Sequence, residues 1–211
     1  MLAERMKSLA GSQTSGMRNK AKQLRERGIN VINFAAGELD LPTSYAIKQA
    51  VHQAVDADRT QYTDTLGIRG LREKLAERVS RSTGVAYSAD EVGVTAGAKQ
   101  ALYNAAMALF DPLSEVIIPA PYWVTFPVQV ALAGATPVFL PTEHNGFHIN
   151  LAELSGRITP RTRGLILNTP HNPTGVVYDR ATLEGIAALA MKHDLTVIFD
   201  ECYEQLVYPP A

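Results

Sequence analysis

Short apolar runs alternate along the chain with longer segments whose apolar positions recur every three or four residues. Apolar runs of four to eight residues are typical of buried strands, and the longer periodic segments are typical of helices. This alternation predicts an α/β fold with a mainly parallel sheet. The predicted strands are residues 31–34, 91–95, 115–118, 136–139, 165–167 and 196–199, and the predicted helices are 17–27, 44–57, 71–82, a helix opening at 96–102, 151–160 and 179–193.

A rigid polar loop follows the apolar run at 165–167, where the sequence reads LILNTPHNPTG. Its two prolines cannot donate to a sheet, and Gly175 permits a turn that other residues avoid. An open α/β sheet binds its ligand beyond the carboxyl ends of its strands. Asn172 is therefore a candidate ligand contact; the alternative is an ordinary connecting loop.

A carboxylate follows the next apolar run, since residues 196–199 lead directly into Asp200. A carboxylate at the end of a buried strand is costly unless a cation or hydrogen-bond donor meets it. The alternative is that Asp200 caps a helix.

Together the two stretches resemble the class I/II, pyridoxal-phosphate-dependent aminotransferases of fold type I, in which an N-P-T-G loop, a helix and a strand ending in D-E-x-Y follow one another. The resemblance implies a three-layer α-β-α fold with a mainly parallel sheet. It also implies an N-terminal arm and the start of a small domain over residues 1–45, and the cofactor-binding large domain over residues 46–211.

The resemblance assigns the contacts with the ring of pyridoxal phosphate to four side chains. Asp200 pairs with the pyridine nitrogen, and opposite charge there keeps that nitrogen protonated. Asn172 and Tyr203 donate hydrogen bonds to the phenolic oxygen O3′. Trp123 matches an aromatic residue that stacks on the ring, although buried core packing is the commoner role of tryptophan. Thr95 is a lesser candidate near the ring edge.

Backbone at a strand-to-helix turn, at Gly97, Ala98 and Lys99, matches the turn that holds the cofactor phosphate. A helix N-terminus offers free N–H groups and a favourable dipole to such a group. By resemblance Tyr62 reaches the phosphate of the partner subunit's site in a homodimer; alone it would be interpreted as a loop tyrosine.

Three further residues are implied to lie against substrate, an amino acid or a 2-oxo acid: Gly37, Trp123 and Asn172. Gly37 belongs to a G-E-L-D element that resembles G-E-P-D in the family, with Leu39 replacing the proline; the alternative is a plain turn glycine. The bonds Ala120–Pro121 and Asn172–Pro173 resemble positions where family members have cis prolines.

Composition is that of an ordinary globular protein: 211 residues, 46% hydrophobic and 19% charged, with a formal net charge of −1. No basic tract suggests nucleic acid, and no apolar run is long enough to span a membrane. The single cysteine, Cys202, excludes an internal disulfide and favours a reducing compartment. The N-terminus has no apolar core of a signal peptide, so we expect a cytoplasmic protein without membrane or nucleic-acid partners.

The family's Schiff-base lysine lies beyond the residue that matches Asp200, and no lysine follows Asp200 here. The family's phosphate-binding and carboxylate-binding arginines also match positions past the end. We therefore expect an N-terminal fragment, poorly stable and inactive alone. Open sheet edges are expected at strands 91–95 and 165–167, because their family neighbours are missing.

Two other functions remain open. A pyridoxal-phosphate-dependent C–S lyase, or another enzyme of this fold, would use the same cofactor contacts, because reaction choice depends on residues elsewhere. A non-catalytic, aminotransferase-like ligand-sensing domain of a transcription regulator would need a DNA-binding domain ahead of residue 1. The N-terminal arm and the G-E-L-D element favour the aspartate aminotransferase-like subgroup.

Overall fold

The computed structural model describes residues 3, 6, 13–34, 37 and 41–208, with the backbone alone for 13–15. The chain divides into two compact units, Met1–Gly93 and Val94–Ala211. The predicted domain boundary between residues 45 and 46 stays a prediction. None of the described helices is long and apolar enough to cross a membrane.

The first unit holds three described helices: α1 (Gln13–Glu26), α2 (Tyr45–Asp56) and α3 (Arg69–Thr83). All three were predicted. The Ser44 hydroxyl accepts a hydrogen bond from the Ile47 N–H at 3.4 Å and so caps α2. Gly84 ends α3 in the left-handed conformation, with φ of +72°.

Two predicted strands are wrong. Residues 31–34 are irregular, and Ile32 and Phe34 are 76% and 93% exposed. Residues 89–91 form a 3₁₀ turn, and 92–95 form no strand. A strand needs a neighbour for its backbone groups, and no described strand pairs with either segment. Residues 38–40 of the G-E-L-D element lie outside the described residues.

The second unit is built on a four-stranded parallel sheet in the order β2-β1-β3-β4. Each strand pairs in parallel with its neighbour, as the sequence predicted. The strands are β1 (Glu115–Ala120), β2 (Thr136–Pro141), β3 (Thr162–Asn168) and β4 (Thr196–Asp200).

Helices cover both faces of this sheet: α4 (Ala98–Leu109), α5 (Thr125–Leu132), α6 (Leu151–Gly156) and α7 (Arg180–His193). Val116 and Ile118 of β1 pack in one core cluster with residues of α4 and α5. Ile117 packs in a second cluster with Leu154 of α6 and Ile186 of α7. Successive strand residues point to opposite faces, so the unit has three layers, which confirms the predicted α-β-α fold.

The strand order corrects the predicted open edges. β3 is internal, between β1 and β4, so residues 165–167 face no gap; the sheet edges are β2 and β4. Pro137 lies in the edge strand β2, where a proline is tolerated because a ladder donor is needed on one side only. Strand order depends on tertiary packing and leaves no mark in a local hydrophobic pattern.

Helix α5 was missed by the sequence analysis. Its sequence, TFPVQVAL, is apolar on nearly every side, so it shows no polar face at helical spacing. Phe126, Gln129 and Val130 are all buried.

The sheet leaves no room for a side chain at Gly164 of β3. A Cβ built there would lie 2.5 Å from the Phe110 ring and 3.1 Å from the Thr196 carbonyl oxygen. We expect Gly164→Ala to lower the free energy of unfolding by about 1–3 kcal/mol, because backbone and a buried ring must move. Urea unfolding at neutral pH measures this.

Gly156→Ala is the matched control for that substitution. Nothing lies within 4 Å of a Cβ built at Gly156, and alanine is a better helix former by up to about 1 kcal/mol. We expect an unchanged or slightly raised stability. Equal unfolding midpoints for the two variants would contradict the packing argument.

Candidate active site

A small cavity of about 70 Å³ lies where the carboxyl ends of β3 and β4 meet, within the second unit. It brings together five of the residues predicted from the sequence. It is lined by Ala98, Trp123, Asn168, Asn172, Asp200, Cys202 and Tyr203. Parallel strands place the residues that follow them at one end of the sheet, which is why side chains distant in sequence meet here.

Asn172 is held by the loop that leaves β3. The bonds Thr169–Pro170 and Asn172–Pro173 are both cis, and Gly175 has φ of +75°. The Asn172 backbone N–H donates to Asn168 Oδ1 at 2.7 Å, and its side-chain Nδ2 donates to Tyr203 Oη at 3.3 Å. The two predicted contacts to a phenolic oxygen therefore lie side by side.

Asp200 ends β4 and is partly buried. Its Oδ1 accepts a hydrogen bond from the Cys202 N–H at 3.0 Å, which turns the chain after the strand. Within the described residues no Lys, Arg or His forms an ion pair with Asp200. The helix-cap alternative does not apply, because the chain after Asp200 forms turns. A carboxylate in this state suits a cationic partner brought by a ligand.

Trp123 follows β1 after the cis bond Ala120–Pro121. The Thr142 hydroxyl and N–H both donate to the Ala120 carbonyl, at 2.8 and 3.0 Å, which fixes the start of this turn. The Trp123 ring packs edge-on against Phe126, with centroids 5.4 Å apart. Lys99 Nζ lies 5.1 Å from the Trp123 ring centroid, a cation–π distance.

The turn before α4 exposes backbone donors. Gly97 adopts φ of +85° as the residue before the helix. The N–H groups of Ala98 and Lys99 have no backbone acceptor among the described residues, and a helix N-terminus of this kind attracts anions. The Thr95 hydroxyl donates to the Gly97 carbonyl at 2.9 Å, so Thr95 supports the turn.

Two predicted residues belong to the first unit. The Tyr62 side chain is fully exposed. Among the described residues, no atom lies within 4 Å of a Cβ built on Gly37. Their proposed contacts with the cofactor and substrate stay predictions.

Sequence reasoning missed two of the lining residues, Asn168 and Cys202. Asn168 is the last residue of β3 and pairs in register with Asp200 of β4. Asn168 and Asp200 are both polar residues that end an apolar strand. The sequence pattern could therefore have indicated Asn168 as a site residue, but only Asp200 was interpreted as one.

Behind the loop, His171 and Tyr178 are buried against each other, with ring centroids 6.1 Å apart. His171 Nδ1 hydrogen-bonds Thr174 Oγ1 at 2.8 Å. Burial lowers the pKa of His171 and raises the pKa of Tyr178 to about 12, so both are neutral at physiological pH. They are part of the loop's packing.

The family model for aminotransferase class I and II matches residues 29–211. This chain belongs to aminotransferase class I and II. It is 41% identical over 211 residues to a probable aspartate/prephenate aminotransferase of Thermus aquaticus, covering all of this chain and 55% of that protein. It is also 41% identical to the aspartate aminotransferase of Geobacillus stearothermophilus, of which it covers 54%.

A solved structure of the aspartate aminotransferase of Thermus thermophilus with maleate superposes with a TM-score of 0.95 at 40% identity. The superposition covers 99% of this chain and 55% of that one. The chain thus spans about half the length of the aminotransferases it matches.

Class I and II aminotransferases use pyridoxal phosphate, and the side chains at the cavity fit that group. Asp200 offers a carboxylate that pairs with no cation among the described residues, Asn172 and Tyr203 offer donors, and Trp123 offers an aromatic face. A pyridine nitrogen, a phenolic oxygen and a flat ring are complementary to these three features.

The buried Tyr178 hydroxyl generates a stability prediction, because its oxygen has no hydrogen-bond partner within the described part of the chain. An unpaired buried polar group is costly. We expect Tyr178→Phe to leave the free energy of unfolding unchanged or to raise it by about 1 kcal/mol. Tyr208→Phe, at a side chain that is 89% exposed, is the control. A clear loss of stability in chemical denaturation would show that the hydroxyl has a partner.

Proposed function

We propose that the protein is a pyridoxal-phosphate-dependent aminotransferase, which moves an amino group between an L-amino acid and a 2-oxo acid. The observation that carries this proposal is the Asp200 carboxylate, without an ion pair in the described structure, in the same cavity as the Asn172–Tyr203 pair. Relatives named aspartate aminotransferase and aspartate/prephenate aminotransferase support it. Aspartate is accordingly the first amino donor to test.

When bound, pyridoxal phosphate supplies an electron sink for the electrons released at the amino acid Cα. Asp200 would keep the pyridine nitrogen protonated, which strengthens that electron sink. The carboxylate does this by opposite-charge pairing, which raises the pKa of the nitrogen. The hydrogen bond from the Cys202 N–H holds one oxygen of this carboxylate.

Asn172 and Tyr203 bind the phenolic oxygen O3′. The Asn172 amide has two N–H groups, so it can donate to Tyr203 Oη and to O3′ together. The Tyr203 hydroxyl keeps its own proton to donate. Two donors would stabilise the deprotonated form of O3′. They would therefore lower the pKa at which the bound cofactor loses that proton.

The remaining contacts orient the cofactor. Trp123 would stack on the ring of the cofactor through its indole face. The phosphate would bind at the turn of Gly97, Ala98 and Lys99, where the N–H groups of Ala98 and Lys99 have no backbone acceptor among the described residues and the helix dipole of α4 favours an anion.

We propose that the full-length protein is a cytoplasmic homodimer. Full exposure of Tyr62 supports its role as a donor to the phosphate at the partner subunit's site. Gly37 is proposed to lie against the substrate carboxylate, together with Trp123 and Asn172. Residues 1–45 would form the arm and the start of the small domain, and 46–211 the cofactor-binding domain.

The experiment is an absorbance spectrum of the longest natural chain that contains these residues, taken before and after borohydride reduction. We expect a reducible band, and mass spectrometry should find the cofactor attached to a lysine that follows Asp200. Absence of pyridoxal phosphate binding would contradict the proposal. Reversible binding without such a lysine would favour a ligand-sensing domain.

Asp200→Asn tests the role of the carboxylate. The amide keeps the size of the side chain but carries no charge, and an opposite charge shifts a pKa by about 1–3 units. We expect the aspartate transamination rate constant kcat to fall between about ten- and a thousandfold in the longest natural chain.

Asp179→Asn is the matched control. Asp179 caps α7 by accepting from the Thr182 N–H at 2.7 Å, and asparagine caps a helix equally well. We expect its kcat to equal that of the unmodified protein. Wild-type turnover by the Asp200 variant would contradict the assignment.

A further inference from the structure

Asn168 occupies the place where β3 ends and the Asn172 loop begins. Its side chain is buried, at 4% exposure, and lines the cavity. In register it lies opposite Asp200 of β4. It is therefore adjacent to both proposed ring contacts, Asn172 and Asp200.

The Asn168 amide uses both of its groups. Its Oδ1 accepts from the Asn172 backbone N–H at 2.7 Å, and its Nδ2 donates to the Asp200 carbonyl at 3.0 Å. The neighbouring Thr169 N–H donates to that same carbonyl at 3.2 Å. One side chain thus joins the loop after β3 to the end of β4.

Backbone pairing between the two segments ends with the bond from the Thr169 N–H to the Asp200 carbonyl and does not reach Asn172. The register between β3 and β4 ends at Asn168 and Asp200, and beyond it the chain turns through Thr169–Pro170. The Asn172 N–H therefore depends on a side-chain acceptor. A side chain that bridges the Asn172 N–H and the Asp200 carbonyl needs one acceptor and one donor, and the amide of asparagine supplies both.

We propose that Asn168 is a positioning residue that holds Asn172 and Asp200 at the spacing the cofactor ring requires. This inference rests on the proposed function. The bond from Asn172 Nδ2 to Tyr203 Oη is already long, at 3.3 Å. At that length the bond is already slightly beyond the usual N–H···O range, so a small shift of the loop would break it. Loss of Asn168 would then misplace the donors to O3′ without removing any of them.

Three variants of the longest natural chain separate the two hydrogen bonds. Asn168→Leu has nearly the same shape and loses both. Asn168→Asp keeps the acceptor for the Asn172 N–H and loses the donor to Asp200. Asn145→Leu is the control, since Asn145 is exposed and its Nδ2 donates to the His148 carbonyl at 3.2 Å.

Two measurements decide the inference. NMR-detected hydrogen exchange follows the Asn172 N–H without cofactor, and absorbance follows bound pyridoxal phosphate against pH and concentration. In Asn168→Leu we expect Asn172 exchange to be about tenfold faster and the dissociation constant of pyridoxal phosphate about tenfold higher. We also expect the pH midpoint of the bound cofactor's absorbance change to move upward. A purely structural role would lower the unfolding temperature and leave that midpoint unchanged.

Unchanged Asn172 exchange in Asn168→Leu overturns the inference, and so does faster exchange with an unchanged midpoint and affinity. If the leucine variant does not fold, Asn168→Asp decides: protected Asn172 with weakened cofactor binding supports the inference, and wild-type affinity overturns it. An unmodified protein that does not bind pyridoxal phosphate overturns the proposed function and this inference together. This outcome is distinguishable from failure of the Asn168 inference alone, in which the unmodified protein still binds pyridoxal phosphate.

Discussion

The parallel pairing of β3 with β4 determines the position of the other features of the site. It sets Asn168 opposite Asp200 at the last register position, and both chains turn away from the sheet immediately afterwards. Both faces of the sheet are covered by helices, so the strands are fixed by burial as well as by hydrogen bonds. The loops that carry Asn172 and Tyr203 begin from these fixed ends, and this is why polar side chains 31 positions apart can form a hydrogen bond.

The chemistry of the site was largely predictable from the sequence, because it depends on which residues end the apolar runs. Asn172, Asp200 and Trp123 each follow a strand that the pattern identified, and the structure places all three at one cavity. Their roles toward a cofactor came from family resemblance. Geometry alone supplies a carboxylate, donors and an aromatic face.

The features that sequence reasoning got wrong all depend on distant partners. Residues 31–34 and 91–95 have the composition of strands, but an extended segment becomes a strand only when another backbone pairs with it. The order that makes β3 internal is likewise a tertiary property. Helix α5 was missed for a different reason: a helix buried nearly all round has no polar face to reveal its period.

Trp123 is the chain's single tryptophan, and it lies at the cavity with a lysine ammonium near its indole. Ultraviolet light that selectively excites indole therefore reports on this location alone within these 211 residues. Arrival of an aromatic ring, departure of the Lys99 cation and entry of water would each alter the emission of that one fluorophore. The protein thus carries an intrinsic fluorophore at its candidate active site, so ligand binding there can be followed without an added label.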